Sequence, residues 1–372
     1  MKKSLKYKLL VVAAIIANVG FAGNPDRSGG AGATQLLVNP YARSYGLGGA
    51  NSAFIRGIES QYSNIGGLAY TNGTELIFSN LSFLTGAGIN ISNLGLAQSI
   101  GEEGSGGVVG LSITSWNFGQ IPITTFEQPD QTIGTYSPQV INIGASYAKQ
   151  FSNSITAGIL MRLISEGVVD VRANGVALDA GVQYQTNITP GKKKIKNEDF
   201  RFGIGVRNIG PDMTFRGGGL SIRAINSSTG ADRRVLFDAE KFNLPALVNI
   251  GVAYDMRLDK TEDTYFHKLT AMGNFTYNAF QSNIISIGGE YSYKEMFFGR
   301  FGYTMQGDNT FDFSQNNPQY RVPTYDVFGG VTFRVPVSKS GNAFAIDYSY
   351  APTRIFNGNH VISLRLNFGG NN

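Results

Sequence analysis

The chain of 372 residues contains no cysteine. Without thiols it can form neither a disulfide framework nor a thiolate metal site. Histidine is almost as scarce, because His267 and His360 are the only two and their spacing does not bring them together on one local element. Zinc sites of the usual His-x-x-x-His or cysteine types are therefore excluded. The sequence predicts no metal, no other cofactor and no enzyme active site.

Charged residues are also few. They make up 15% of the chain, against roughly 25% in ordinary soluble proteins. The densest basic run, Lys192 to Lys196, follows Pro190 and Gly191 and is typical of a solvated turn. A nucleic-acid-binding protein would need a basic surface with stacking aromatic residues on a recognisable module, and none is present. Nucleic acid is therefore not an expected partner.

Long apolar runs are confined to the start of the chain. Residues 1–22 begin with lysines, continue through the apolar run Leu9 to Val19, and reach Gly20-Phe21-Ala22. This order predicts a secretory signal peptide that is cleaved before Gly23. The apolar run is shorter than the roughly 18 to 20 residues that a membrane-spanning helix requires. We expect an exported protein of a Gram-negative cell, resident in the outer membrane.

What the sequence does contain is alternation. In the segment 283–293, Ile285 and Ile287 fall on one parity, while Ser286 and Glu290 fall on the other. Such a segment is a strand with one apolar and one polar face. The pattern recurs from Thr74 to Phe368 with few charges, and it predicts an all-β, transmembrane, antiparallel β-barrel. A soluble β-sandwich would also alternate and is the competing interpretation.

The barrel should contain about fourteen strands. The alternation marks fifteen candidates, and bacterial barrels usually carry an even number, so we expect either 87–97 or 213–223 to be wrong. A short helix is predicted over 53–61. The predicted domains are a signal peptide (1–22), an N-terminal plug (23–73) and a barrel (74–372). The strand candidates are 74–84, 87–97, 107–118, 138–149, 154–164, 174–185, 200–208, 213–223, 244–256, 266–277, 283–293, 296–303, 324–334, 342–350 and 360–368.

The connections between these strands differ in length. Tight ones at 150–153 and 294–295 contrast with long polar ones at 119–137, 224–243 and 304–323. Long loops at one end of an up-and-down barrel are the natural place for partner contacts. The candidate contact residues in these loops are Phe126, Tyr136, Arg233, Arg234, Phe311, Phe313 and Tyr320.

Several charged residues fall inside strand candidates, where a charge is tolerated only if it faces the lumen or lies near an interface. We expect them to form a polar interior network. Arg43 precedes the barrel and can offer its planar guanidinium to a lumen carboxylate such as Glu290 or Asp347. The strand charges are Asp179, Glu290, Arg300, Asp326, Asp347 and Arg365.

Three short motifs resemble the PorV/PorQ family of outer-membrane proteins. The first is 42–50 (ARSYGLGGA), the second is 61–68 (QYSNIGGL), and the third is 356–364 (FNGNHVISL). The resemblance spans nearly the whole mature chain. Ile65 and Gly66 stand where the family has Pro and Ala, which permits a different turn. The residues that carry the match are Ala42, Arg43, Gly46, Gly48, Gly49, Asn64, Gly67 and Leu68, with Gly358, Asn359, His360, Ser363 and Leu364 at the other end.

This resemblance implies a fourteen-stranded, FadL-like barrel in which the N-terminal segment folds into the lumen as a plug, or hatch. It also implies a non-catalytic role in the type IX secretion system. The expected partners are outer-membrane lipid, secreted proteins with C-terminal signal domains, and subunits of the translocon or the attachment complex.

Two other functions remain open. A FadL-like barrel that transports small hydrophobic molecules would need an apolar pocket beneath the hatch and a lesion or bulge in a nearby strand. An embedded hydrolase would need a serine within hydrogen-bond reach of a histidine such as His267.

Overall fold

The computed structural model describes residues 27, 29–101, 105–127, 129–188, 199–225, 228, 230–259, 266–306, 324–337, 341–353 and 355–369. The predicted signal peptide lies outside these residues, as do the basic run at Lys192 to Lys196 and the loop residues Phe311, Phe313 and Tyr320. In the part of the chain that is described, no helix combines the length and the apolar character needed to cross a bilayer.

Fourteen strands form one sheet, and they are numbered here in chain order. They are β1 (Thr74–Phe83), β2 (Ile89–Ile100), β3 (Gly107–Asn117), β4 (Gln139–Ser152), β5 (Ile155–Val168), β6 (Val171–Thr186), β7 (Phe200–Ile209), β8 (Leu247–Arg257), β9 (His267–Asn278), β10 (Ile284–Tyr293), β11 (Phe297–Gln306), β12 (Thr324–Pro336), β13 (Ala343–Ala351) and β14 (Asn359–Phe368).

The sheet closes on itself. Every strand pairs antiparallel with the next one along the chain, and β14 returns to pair with β1 through Thr74 and Phe368. Closure joins the first strand to the last and so removes the two long edges of the sheet, which explains how a chain with so many half-polar strands avoids edge-to-edge aggregation. The predicted fold class, a closed antiparallel barrel of about fourteen strands, is confirmed, and the sandwich interpretation is wrong.

One of the two doubtful strand candidates is real. The segment 87–97 corresponds to β2, whereas 213–223 contributes no barrel strand. It divides into the short strands Met213–Thr214, Arg216–Gly217 and Ser221–Ile225, which pair with different neighbours. Three successive glycines at 217–219 separate these pieces, and glycine in a strand interior weakens the strand.

The two faces of the barrel wall differ as the alternation predicts. In β3, Leu111 and Ile113 point outward and are exposed, while Ser112 and Thr114 point inward and are buried. The other strands repeat this arrangement, with exposed aliphatic and aromatic side chains outside. The outer face is therefore an apolar belt of the kind that lipid covers in membrane barrels.

Residues 29–71, hereafter the N-terminal segment, contain only short helices, namely Thr34–Leu37, Ala42–Tyr45, Ile58–Tyr62 and Ile65–Tyr70. The helix predicted over 53–61 is wrong, because Gly57 adopts φ 79 and separates a turn from the short helix that follows. The segment contacts inward-facing residues on all fourteen strands, through hydrogen bonds, ion pairs and close packing.

The two ends of the barrel differ in their connections. One end, hereafter the long-loop end, carries the connections 118–138 and 210–246 and the one between β11 and β12. The other, the short-turn end, includes the tight turns after β4 and β10 and the start of β1 at Thr74. Strand β11 continues to Gln306, so the loop predicted over 304–323 begins later than expected. The N-terminal segment leads from the long-loop end, near Leu36, to the short-turn end.

Candidate functional site

The inner wall is unusually flat where it meets the N-terminal segment, because glycines point inward there. A Cβ added at Gly203 would lie 2.7 Å from the Ser52 carbonyl oxygen and 2.9 Å from the Ala53 Cα. Both are backbone atoms and cannot move aside independently. Since only glycine lets two backbones approach this closely, the wall is shaped to this segment. The inward-facing glycines that meet it, hereafter the wall glycines, are Gly95, Gly110, Gly144, Gly158, Gly181, Gly203, Gly205, Gly251, Gly288 and Gly302.

A buried ion network ties the segment to one side of the wall. Arg43 lies 3.5 Å from Glu59 and 3.6 Å from Glu290, which was one of its two expected partners. Glu290 on β10 also receives a 2.5 Å hydrogen bond from Arg300 on β11. Burial favours a lower pKa for Arg43, but the carboxylates of Glu290 and Glu59 outweigh it and raise the pKa. Arg43 is therefore held as a cation inside the barrel.

The same network continues onto the last two strands. Arg365 on β14 lies 3.1 Å from both Glu59 and Asp347, and Asp347 on β13 also accepts a hydrogen bond from Thr332. Glu59 thereby connects the N-terminal segment to β14. Buried charges persist when they are paired and hydrogen-bonded, so these residues fix the position of the segment.

A second polar group, hereafter the polar floor, consists of Arg162, Asp179 and Arg207 on β5, β6 and β7. Arg162 lies 3.0 Å from Asp179 and donates to the Gln61 carbonyl oxygen, while Arg207 donates to the Leu36 carbonyl oxygen at 3.1 Å. Both guanidinium groups lie over the Tyr62 ring. All three side chains are buried.

The wall is irregular beside the polar floor. Leu178 and Ala180 of β6 pair with Ile209 and Val206 of β7, so two residues of β7 oppose the single residue Asp179. This is a β-bulge. Asn208 takes the extra position with φ 59, and Asp179 accepts its backbone N–H at 2.6 Å.

Strand β7 ends just beyond the bulge, whereas β6 continues toward the long-loop end. Residues 173–177 of β6 therefore pair with no strand on that side in the described part of the chain, and Arg172 and Val171 pair only with the short strand Arg216–Gly217. This interruption, hereafter the notch, separates β6 from β8. Bulges and short strands next to one another weaken the closed ladder at this place.

Apolar residues occupy the inside of the notch. Met213 and Leu244 from the connection between β7 and β8 pack with Leu36 and with Ile164 of β5. At Gly175, an added Cβ would lie 2.6 Å from the Met213 Cγ and Sδ. The complete group, hereafter the apolar cluster, is Ala33, Leu36, Ile164, Ala173, Ala177, Met213 and Leu244, with Phe215 and Phe242 packed against it.

Beside the notch, on the outward face of the paired strands β4, β5 and β6, the apolar belt contains a depression of about 390 Å³. Ile143, Leu163 and Val176 line it from the outward face, and Ile164 and Gly175 form part of its floor. The same two residues thus belong to the outer depression and adjoin the apolar cluster inside. The paired strands β5 and β6, in which Ile164 lies opposite Gly175, separate the two apolar regions.

The first and third motifs of the family resemblance contact each other although they lie at opposite ends of the chain. The Ala42 backbone N–H donates to the Ser363 hydroxyl at 3.0 Å, and Asn359 donates to the Tyr45 hydroxyl at 2.8 Å. Asn64 accepts from the Gly66 backbone N–H and starts a short helix. Three of the other motif residues pack against the wall or within the segment, namely Gly46, Gly67 and Leu68. Three more adopt positive φ, namely Gly48, Gly49 and Gly358. Leu364 points outward.

The predicted partner-binding residues that the structure describes lie in two connections of the long-loop end. Phe126 is fully exposed, and Tyr136 lies in a separate two-stranded piece with Ile121–Ile123. Arg233 and Arg234 lie in the hairpin of Ser221–Ile225 with Asp232–Leu236, where Arg234 donates to Ser221 and to the Gly218 carbonyl oxygen. Phe311, Phe313 and Tyr320 lie outside the described residues.

The two histidines point outward and contact tyrosines. The His267 Nδ1 lies 2.5 Å from the Tyr291 hydroxyl, and the His360 Nδ1 lies 2.8 Å from the Tyr348 hydroxyl. The hydrolase hypothesis required a serine in that position beside His267, and the structure places a tyrosine there. Among the described residues, no group of three metal-ligating side chains is found.

Sequence reasoning missed the notch and most of the polar floor. Arg162 and Arg207 have the parity of inward-facing positions, which was a usable signal. The sequence contained no such signal for Met213 and Gly175. Their roles depend on which connection folds back against which strand, and the alternation does not state this.

No protein-family model and no curated protein matches this chain. Solved structures do resemble it. The CymD monoaromatic hydrocarbon channel aligns with a TM-score of 0.56 at 15% identity, over 90% of this chain and 99% of that one. The Pseudomonas putida toluene transporter TodX aligns with a TM-score of 0.52 at 13% identity, over 90% and 99%. At such identities the likeness concerns the fold, which is the FadL-like barrel of fourteen strands.

Proposed function

We propose that this chain is an outer-membrane channel for small hydrophobic molecules, in which the N-terminal segment is the plug and the notch is a side exit. The apolar belt supports the membrane location, and the likeness to CymD and TodX supports the solute class. This was the alternative function in the sequence analysis. The bulge that it requires is present between β6 and β7, and the packed apolar cluster stands where an apolar pocket was expected.

The observation that carries the proposal is the position of the notch. The apolar cluster lies inside it, and the apolar depression lies beside it on the outward face of β4, β5 and β6. The polar floor lies toward the short-turn end. A hydrophobic solute that enters at the long-loop end meets buried charges if it continues along the axis, and desolvating these for an apolar solute is unfavourable. The sideways route past Gly175 keeps apolar contacts throughout.

Uptake of toluene by cells that carry the barrel in their outer membrane tests this proposal. Gly175→Leu adds a side chain where Met213 already lies, so we expect uptake to fall toward that of cells without the barrel. Gly273→Leu is the matched control, because Gly273 points outward and the nearest atom to an added Cβ is 3.8 Å away. If both variants take up toluene as fast as the wild type does, the proposed side exit is wrong.

A second candidate is a non-catalytic role in type IX secretion, as a PorV/PorQ relative. The favouring observation is that the motif residues from the two ends of the chain contact each other, at Ala42 with Ser363 and at Tyr45 with Asn359. The secreted proteins or the translocon and attachment subunits would dock at the long-loop end. Deleting the gene in the organism that encodes it tests this role, since secretion of proteins with C-terminal signal domains should then fail. Normal secretion would exclude it.

A further inference from the structure

The outer wall carries a second apolar depression, of about 480 Å³, near the short-turn end. It lies over Gly299, where an added Cβ would meet no atom within 4 Å. Gly299 pairs with Tyr291 on one side and Val331 on the other, and Phe297 and Phe333 border it toward the turn. Because Gly299 has no side chain, the space that a bulky side chain would fill stays open. A flexible apolar chain can lie in this depression.

Polar groups stand at the turn beside this depression. His267 pairs with Tyr293, and the next residue, Lys294, places its Nζ 5.3 Å from the Tyr293 ring and 5.2 Å from the Phe266 ring. Glu295 follows and is exposed. The turn therefore presents a cation and a carboxylate side by side.

Among the described residues, one further carboxylate faces this border. Asp259 accepts hydrogen bonds from the backbone N–H groups of Phe266 and His267, the second at 2.8 Å. Its charge is thereby engaged by the backbone. Lys294 and Glu295 are both exposed, and the Glu295 carboxylate also acts electrostatically on Lys268.

Both residues of the turn have a strained backbone conformation, as Leu84 and Val169 do in other turns. Lys294 and Glu295 have φ of 52 and 53, and the Met296 N–H donates to the Tyr293 carbonyl oxygen. Two-residue turns of this kind favour Asn-Gly, because positive φ is costly for residues with longer side chains.

We propose that this surface is a specific site for phosphatidylethanolamine. One acyl chain lies over Gly299, the phosphate lies beside Lys294 and the His267 ring, and the ammonium lies beside Glu295. Adjacent opposite charges match a zwitterionic headgroup better than an anionic one. A primary ammonium also donates hydrogen bonds to a carboxylate, which the quaternary amine of phosphatidylcholine cannot do. The inference rests on the barrel lying in a bilayer but not on which solute it carries.

Native mass spectrometry of the full-length, delipidated barrel tests this assignment. The barrel is mixed with equal amounts of phosphatidylethanolamine, phosphatidylglycerol and phosphatidylcholine that have identical acyl chains. We expect phosphatidylethanolamine to be retained preferentially, and the double substitution Lys294→Asn, Glu295→Gly to reduce that preference by about tenfold, as loss of charge-assisted hydrogen bonds implies. This variant relieves the turn, so misfolding does not account for the loss.

A second pair of variants examines the acyl chain. Gly299→Leu fills the depression and should lower retention of all three lipids, whereas Gly273→Leu adds the same side chain to the outward face of β9 and should not. Equal retention of the three lipids by the wild type would mean ordinary boundary lipid and would overturn the proposal. So would a preference for phosphatidylglycerol, or a preference that survives the double substitution. A failed toluene assay with an intact lipid preference would overturn only the proposed transport function.

Discussion

Gly203 shows how little space separates the barrel wall from the N-terminal segment. Its neighbours across the gap are backbone atoms of Ser52 and Ala53. The hydrogen atom of a glycine fits at these distances, whereas the methyl group of an alanine does not. A residue with a side chain must therefore displace the whole segment. The wall glycines are best understood as one half of an interface whose other half is the segment.

Gly203→Val is expected to loosen the N-terminal segment. Overpacking of this kind costs typically 1 to 3 kcal/mol, and we expect faster proteolysis within 29–71 and a lower midpoint of urea unfolding. Gly273→Val, which faces outward on β9 and has open space, is the control. If both variants resist proteolysis as the wild type does, the close packing described here is wrong.

The buried and exposed ion pairs should differ sharply in their contribution to stability. Arg365→Met leaves Glu59 and Asp347 as buried carboxylates without their shared cation, which typically costs about 3 to 5 kcal/mol. Arg223→Met removes an exposed pair with Asp232 at 3.7 Å, and such pairs contribute at most about 1 kcal/mol. Urea unfolding of both variants in lipid vesicles measures the contrast. Similar losses would show that the ion network does not hold the segment.

Residue-level prediction from the sequence succeeded where parity alone decides the outcome. Glu290, Arg300 and Asp347 sit on the polar parity of alternating strands, and all three are buried inside. It did not identify Glu59 as a partner of Arg43 and Arg365, because Glu59 lies in an irregular segment where no periodicity states which way a side chain points.

At the scale of elements, the shortness of β7 matters most. It has 10 residues against 16 in β6, and the difference creates the notch. The sequence predicted β7 almost correctly at 200–208, but the consequence depends on register, which alternation does not specify. The bulge reverses the alternation beyond it, since Arg207 and Asn208 are both buried and Ile209 is exposed. The strand ends one residue later, so the sequence pattern is too short to reveal this reversal.

The N-terminal segment is the second element that decides function. Barrels of 16 to 18 strands leave an aqueous channel, and diameter grows with strand number, so fourteen strands enclose more space than their own side chains fill. Deleting residues 29–71 should therefore produce ion conductance in planar bilayers that the intact barrel lacks.

Point variants refine that measurement. Gly203→Val should give intermittent conductance because the segment remains but packs poorly, while Gly273→Val should stay closed. A deleted barrel that folds, as shown by its heat-dependent migration, and still does not conduct would exclude the segment as the plug.

For the whole molecule, the fold followed from a few general features. Low charge, fifteen alternating segments and an even-number rule were enough to predict fourteen strands, since closure of a barrel requires every strand to have an apolar outer face and two partners. The side exit was beyond reach, because it arises where β5, β6, a truncated β7 and a returning connection meet, and these are brought together only by the closed ring.

The central claim is that an apolar path leads from the long-loop end, through the apolar cluster, to the outer face at Gly175. Crystals of the barrel soaked with bromobenzene test this claim most directly, because the anomalous signal of bromine marks where the ligand lies. We predict one peak beside Met213 and Ile164 and a second in the depression outside Gly175, both lost in Gly175→Leu. Bromine peaks confined to other parts of the lumen, or peaks unchanged in the variant, would contradict the path.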